Sequence, residues 1–240
     1  MRRVFVTGGG SGIGLAMARA FASSGAQVTI AGRARAKLEA AGLPHIAMDV
    51  TDEASVEAGI AEAGPIDIFI ANAGGAETAP ALKMERALWD RMIALNLTSI
   101  YSCARAAVPQ MVERGWGRFI AIGSTASVGG APYASAYAAA KHGLLGFVRS
   151  LAVELAKTGV TANAICPTYT DTPLVAQAAA AVSRKTGRSS NEAVAAFVKD
   201  NPMARLIKPE EVAGAALWLA GDAAASVNGQ AIVIDGGETA

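Results

Sequence analysis

The chain has 240 residues, and its 21 Lys and Arg stand against 20 Asp and Glu for a formal net charge of +1. Charge so balanced, with no long basic block, leaves no electrostatic footprint for nucleic acid. At 52% hydrophobic and 17% charged residues the chain can bury a large core, and none of its apolar runs approaches the ~20 uninterrupted residues that span a bilayer.

In chain order, Met1-Arg2-Arg3 leads into Val4-Phe5-Val6, an apolar run too short for a secretory signal, so a cytoplasmic protein is expected. Short β-branched runs then alternate with longer Ala- and Leu-rich segments of helical period, the pattern of βαβ units around a parallel sheet. Strands are expected at residues 4–7, 28–31, 45–48, 66–71, 118–122, 161–165 and 231–234. Nearly every residue in them is apolar, as strands covered on both faces require. Ile13, Met17, Ala20 and Phe21 mark one face of a first helix that ends near Gly25, and longer helices are expected over about residues 88–113 and 135–157. The expected fold is a single Rossmann-type, doubly wound α/β domain over residues 1–240 with a parallel sheet of about seven strands. Residues 168–208 are long for a strand-to-helix connection and read as a substrate-loop lid, whose basic part, 184–208, is either a solvated helical excursion or a groove for an anionic substrate. Cys103 and Cys166 lie far apart without a CxxC, and His45 and His142 share no ligand spacing. Core thiols, ordinary histidines and no metal site are therefore expected.

Thr7-Gly8-Gly9-Gly10-Ser11-Gly12-Ile13-Gly14 follows the first strand and opens the first helix. Backbone without Cβ can approach a pyrophosphate, and a helix N-terminus offers it unpaired N–H groups. Gly8, Ser11, Gly12, Ile13 and Gly14 are thus expected to bind a dinucleotide. The second strand ends Ile30-Ala31-Gly32-Arg33, without the carboxylate that suits the ribose of NAD(H). Arg33, with Arg35 close behind, suits the extra phosphate, so NADP(H) is favoured over NAD(H).

Ser124 stands just beyond the fifth strand, and Tyr137 and Lys141, four apart, share one face of the helix that follows. A free phenol titrates near pH ~10, too high for acid–base work at neutrality, and an adjacent ammonium is expected to lower it by stabilising the phenolate. Ser124 can then donate a hydrogen bond to a carbonyl oxygen while Tyr137 delivers the proton.

These motifs together resemble the short-chain dehydrogenase/reductase family over essentially the whole chain. Its pattern Thr-Gly-x-x-x-Gly-x-Gly is met at Thr7 to Gly14, its Asn-Ala-Gly element at Asn72-Ala73-Gly74, and its catalytic tetrad at Asn96, Ser124, Tyr137 and Lys141. Asp49-Val50 matches the family's adenine contact, and Pro167 with Thr172 its nicotinamide-contacting segment. Ala71 stands where the family often has an Asn, and Thr168 where it usually has Gly after the proline.

The resemblance implies hydride transfer between C4 of the nicotinamide and a carbonyl carbon, interconverting a ketone and a secondary alcohol. Tyr137 is then the general acid/base, Lys141 holds the ribose hydroxyls, and Asn96 positions a water that connects Lys141 to solvent. Within the family the late segments look most like 3-oxoacyl-thioester reductases and 3-hydroxyacyl dehydrogenases, so a 3-oxoacyl or 3-hydroxyacyl thioester leads as substrate. A non-thioester secondary alcohol or cyclic ketone is the alternative, and a non-catalytic dinucleotide sensor is the alternative of another class. Enoyl reductases of the superfamily space their Tyr and Lys more widely than Tyr137 and Lys141, which disfavours alkene reduction. Apolar residues on the helices near 88–113 and 135–157 cover more than one narrow stripe. A second apolar face on each, together with the family's subunit contacts, implies a homotetramer.

Overall fold

The computed structural model describes residues 1–187 and 189–240, with Lys185 described by its backbone alone. Each expected strand forms at or within two residues of its predicted run: β1 (Arg3–Thr7), β2 (Gln27–Gly32), β3 (His45–Ala47), β4 (Ile68–Ala71), β5 (Gly117–Ile122), β6 (Val160–Pro167) and β7 (Ala231–Ile234). All pair in parallel, in the order β3-β2-β1-β4-β5-β6-β7. The helices are α1 (Gly12–Ser23), α2 (Arg35–Ala41), α3 (Glu53–Ala63), α4 (Arg86–Ile93), α5 (Ser99–Glu113), α6 (Ser135–Leu155), α7 (Pro173–Thr186), α8 (Ser190–Phe197) and α9 (Pro209–Ala220).

Alternation along the strands builds two cores. Val4, Val6, Ile68, Ile70, Ile120 and Ile122 face α1 and α9, while Phe5, Phe69 and Phe119 face α3, α5 and α6. Those phenylalanines are in register across β1, β4 and β5, and their rings stack at centroid distances of 5.5 and 5.7 Å. The aromatic column ties the three central strands together. At the amino end of the sheet, Asp67 accepts from Arg3 N, Nε and Nη2 at 2.9, 2.9 and 2.6 Å. Trp116 lies nearby between the guanidinium groups of Arg2 and Arg118, 3.4 and 4.4 Å from its ring.

One expected element differs. Residues 88–113 do not form one α-helix, because α4 and α5 are joined by a π-helical turn, Ala94–Thr98. Asn96 Nδ2 donates to Met92 O at 3.1 Å, taking the carbonyl one turn back as an acceptor for a side chain. Such competition for a ladder carbonyl accompanies the wider turn. The helix expected over 135–157 ends at Leu155, and the first helix closes as expected, with Gly25 at φ +86° just beyond it. Cys103 and Cys166 are buried free thiols, and burial pushes Cys103 up to about 12. His45 and His142 are exposed, each ring bonded to a nearby backbone carbonyl.

The connection after β6 contains α7 and α8. Of the basic residues expected there, Arg205 is held by Glu211 through two contacts of 2.7 and 2.8 Å, while Arg184, Lys199 and Lys208 are exposed. Arg188 and the Lys185 side chain lie outside the described residues.

Candidate active site

The strand order reverses between β1 and β4, and the crevice beyond the carboxyl ends of such a pair is where open α/β sheets bind ligands. The glycine turn leaves β1 there with Gly8 and Gly12 at φ +66° and +54°, a region open to glycine and strained for other residues. A Cβ on Gly14 would strike Gly8 O and Asn72 Nδ2, so α1 can enter only this close without one. Thr7 Oγ1 accepts from the backbone N–H groups of Asn72 and Ala73, both at 3.0 Å. Asn72 Nδ2 returns bonds of 2.9 and 3.3 Å to the carbonyls of Thr7 and Gly8. Asn72, expected from the resemblance alone as a cofactor residue, thus fastens the glycine turn to β4, and Thr7 has a part in this that its place in the motif did not reveal.

The turn fits a pyrophosphate. Ser11 is the extended N-cap of α1 and makes no side-chain capping bond among the described residues, and the first turn of the helix carries no acidic residue. Its leading N–H groups therefore face outward with a favourable dipole. Gly12 and Ile13 open that helix, and Gly12 lies against Thr172 of α7's N-cap, where a Cβ would meet Thr172 Cγ2 at 3.1 Å. Arg33 stands at the end of β2, largely exposed, with Asp49 3.9 Å away. Asp49 Oδ1 accepts from Thr51 N and Oγ1 at 2.9 and 2.7 Å, which hold its carboxyl below the usual range. Val50 beside it is buried.

Beyond β5, Ser124 caps a short helical turn: its Oγ accepts from Ala126 N, and its own N–H donates to Ser127 Oγ, both at 3.1 Å. Its hydroxyl lies near enough to Tyr137 to favour the phenolate. Lys141 is 4% exposed, its Nζ donating to Ile122 O at 2.7 Å and lying 5.6 Å from the centroid of the Tyr137 ring. Asn96, fully buried in the π turn, bonds Gly75 through both ends of its amide, at 2.9 and 3.2 Å. A Cβ on the intervening Gly74 would come within 2.9 Å of Asn96 Oδ1 and 3.7 Å of Lys141 Nζ. Asn96, Ser124, Tyr137 and Lys141 therefore gather at the carboxyl end of the sheet, with Pro167 closing β6 beside Ile234 of β7.

Here the electrostatics correct an expectation. Tyr137 is pushed above the ordinary phenol value by burial, which outweighs the lowering effect of the nearby Ser124 hydroxyl. No effect of Lys141 offsets this, and burial brings Lys141 itself down to about 8. In this geometry Tyr137 is a protonated acid at neutral pH.

Two aromatic residues that the sequence did not single out lie nearby. Tyr169, just after β6, stacks on Phe197 of α8 with centroids 4.8 Å apart and planes 4° from parallel, and it lies within electrostatic reach of Tyr137.

This glycine turn and tetrad, on this strand order, define a nucleotide-dependent oxidoreductase, and comparison with known proteins agrees. A family model described as enoyl-(acyl carrier protein) reductase matches residues 8–239. The chain belongs to the short-chain dehydrogenase/reductase family, enzymes that use NAD(P) and act on CH–OH groups. It is 38% identical to the D-beta-hydroxybutyrate dehydrogenase of Rhizobium meliloti (strain 1021), with 98% of this chain and 97% of that one aligned. It is 39% identical to the cis-4-hydroxycyclohexanecarboxylate dehydrogenase of Sinomonas cyclohexanicum, over 100% and 97% of the two chains. Among solved structures, a single-substitution variant of actinorhodin polyketide ketoreductase with NADPH superposes with a TM-score of 0.93 at 33% identity, covering 99% of this chain and 97% of that one. Levodione reductase does so with a TM-score of 0.93 at 32% identity and the same coverage.

Proposed function

We propose that Tyr137 is the general acid/base of a ketone–secondary alcohol interconversion, and that NADP(H) serves it in preference to NAD(H). The observation that carries this reading is the meeting of Ser124, Tyr137 and Lys141 beside a glycine turn whose helix N-terminus is free to receive a pyrophosphate. When bound, the dinucleotide supplies or accepts the hydride. In reduction, Tyr137 gives its proton to the carbonyl oxygen, and Ser124 orients that oxygen and stabilises its developing charge. Lys141 would hold the ribose hydroxyls, and Asn96 would position a water that connects it to solvent. Arg33 would pair with the 2′-phosphate.

A 3-oxoacyl or 3-hydroxyacyl thioester remains the leading substrate, supported by the ketoreductase relative and by the exposed Arg184 and Lys199 of the lid. The stacked Tyr169 and Phe197 favour a second reading, a cyclic ketone or alcohol, in keeping with the names of the levodione and hydroxycyclohexanecarboxylate enzymes. The protein works in the cytoplasm as a homotetramer. The test is Tyr137→Phe, which keeps the ring and deletes the proton. Turnover of a ketone panel with NADPH, followed at the nicotinamide absorbance, should fall by ~10²–10⁴-fold while nucleotide binding is retained. Near-normal turnover in that variant sinks the mechanism.

A further inference from the structure

The lid is tied at two points to the segment that follows β7. Thr168, where the family usually has glycine, is only 8% exposed, so its hydroxyl needs a partner inside the protein. Glu238 provides it: Thr168 Oγ1 donates to Glu238 Oε2 at 2.6 Å, the length of a charge-assisted bond. Beyond α8, Asn201 is 4% exposed and donates through Nδ2 to Asp235 O at 2.8 Å, while its Oδ1 accepts from Met203 N at 2.8 Å. Residues 235–239 are bound together by the Asp235 carboxylate. Asp235 Oδ2 accepts from Thr239 N and Oγ1 at 2.8 and 2.6 Å, and its Oδ1 accepts from Gly237 N at 3.0 Å. Gly236 and Gly237 take φ of +64° and +91°, and a Cβ on Gly236 would come within 2.8 Å of Asn201 Oδ1. Between the two ties lie α7 and α8, and Phe197 at the end of α8 stacks on Tyr169, the residue next to Thr168.

We propose that Glu238 is a positioning residue for the substrate: through its bond to Thr168 it fixes the Tyr169–Phe197 stack as the wall against which the substrate lies beneath the lid. The proposal rests on the reading of Tyr137 as the reacting acid/base. Glu238 acts on the wall through Thr168. Its removal therefore loosens substrate binding and leaves the chemical step largely intact.

The experiment compares Glu238→Ala, Glu238→Gln and Thr168→Val with the unmutated protein. With the best carbonyl substrate and saturating nucleotide, KM should rise about tenfold in Glu238→Ala and Thr168→Val while kcat changes less than about threefold. Glu238→Gln, which keeps an acceptor for the Thr168 hydroxyl, should restore KM. An unchanged KM in Glu238→Ala, or a glutamine variant no better than alanine, overturns the proposal. Amide hydrogen exchange separates its failure from that of the catalytic reading. If the unmutated protein reduces no carbonyl, the catalytic reading fails, and faster exchange across α8 in Glu238→Ala but not in Glu238→Gln still supports the anchor. Equal exchange in all variants overturns it.

Discussion

At the scale of single residues, the members of the candidate site were legible where they share a short-range pattern. Tyr137 and Lys141 announce themselves by helical spacing, and Gly8 to Gly14 by following a strand. The bond from Thr168 to Glu238 spans 70 positions and leaves no periodic trace, so only the folded chain reveals it. The Lys141 shift was equally hidden, since it depends on how completely the surrounding helix and strand exclude water. Its sign gives a prediction. Between about pH 8 and 10 the folded chain holds Lys141 neutral while the unfolded chain keeps it protonated, so the unfolded state binds more protons and stability rises with pH. Lys141→Met should flatten that rise, worth on the order of 2–3 kcal/mol, in urea unfolding at the two pH values; parallel curves for the two proteins would contradict the burial argument. Arg33 yields a second prediction at this scale. NADP(H) should bind more tightly than NAD(H), and Arg33→Ala should remove most of the gap, about 1.5–3 kcal/mol for a charge-assisted contact. Fluorescence titration of both nucleotides decides it, and equal affinities in the unmutated protein reject the assignment.

At the scale of elements, the strands were readable because each is a short apolar run bounded by Gly, Pro or charge, and burial on both faces demands that composition. The π turn was not, because it goes with a local contact, the Asn96 side chain on Met92 O, and helical periodicity averages over such local detail. The breadth of apolar residues on α5 and α6 suggests, in the sequence, a second and exposed face. Ile100, Ala104, Val108, Met111, Leu144, Leu145, Val148 and Leu155 are in fact buried within the chain's own core. The join between β1 and the start of β4 supports a prediction of its own. Burial pushes the Asp67 carboxyl up, but its hydrogen bonds from Arg3 and the charges of Arg3 and Arg114 outweigh this and leave it lowered. Its contribution is therefore complete above the ordinary carboxyl value and fades as pH falls through the lower, folded-state value. Asp67→Asn should cost about 1–3 kcal/mol at pH 7 in urea unfolding, and the deficit should shrink as the unmutated carboxyl is protonated. A deficit that does not change down to pH ~2 would refute the ionic origin.

At the scale of the whole molecule, the doubly wound architecture followed from the alternation of runs and helices, whereas assembly depends on what the folded surface leaves uncovered. Tyr101 and Val153, 47% and 78% exposed, remain outside the core on α5 and α6, and Trp218 and Val233, 43% and 37% exposed, on α9 and β7. If α5 with α6, and α9 with β7, each meet their own copy in another subunit, the two isologous contacts generate a tetramer of dihedral symmetry. Light scattering at micromolar concentration should report four times the mass of one chain; a monodisperse monomer would end that reading. The strand order has a further consequence, for how the molecule is made. Every strand after β1 lies beside a strand synthesised before it: β2 joins β1, β3 joins β2, β4 returns to the free side of β1, and β5, β6 and β7 each add to the last. A chain leaving the ribosome can therefore extend its sheet outward from the first strand, with only the free side of β1 waiting, while β2 and β3 are made, for its partner β4.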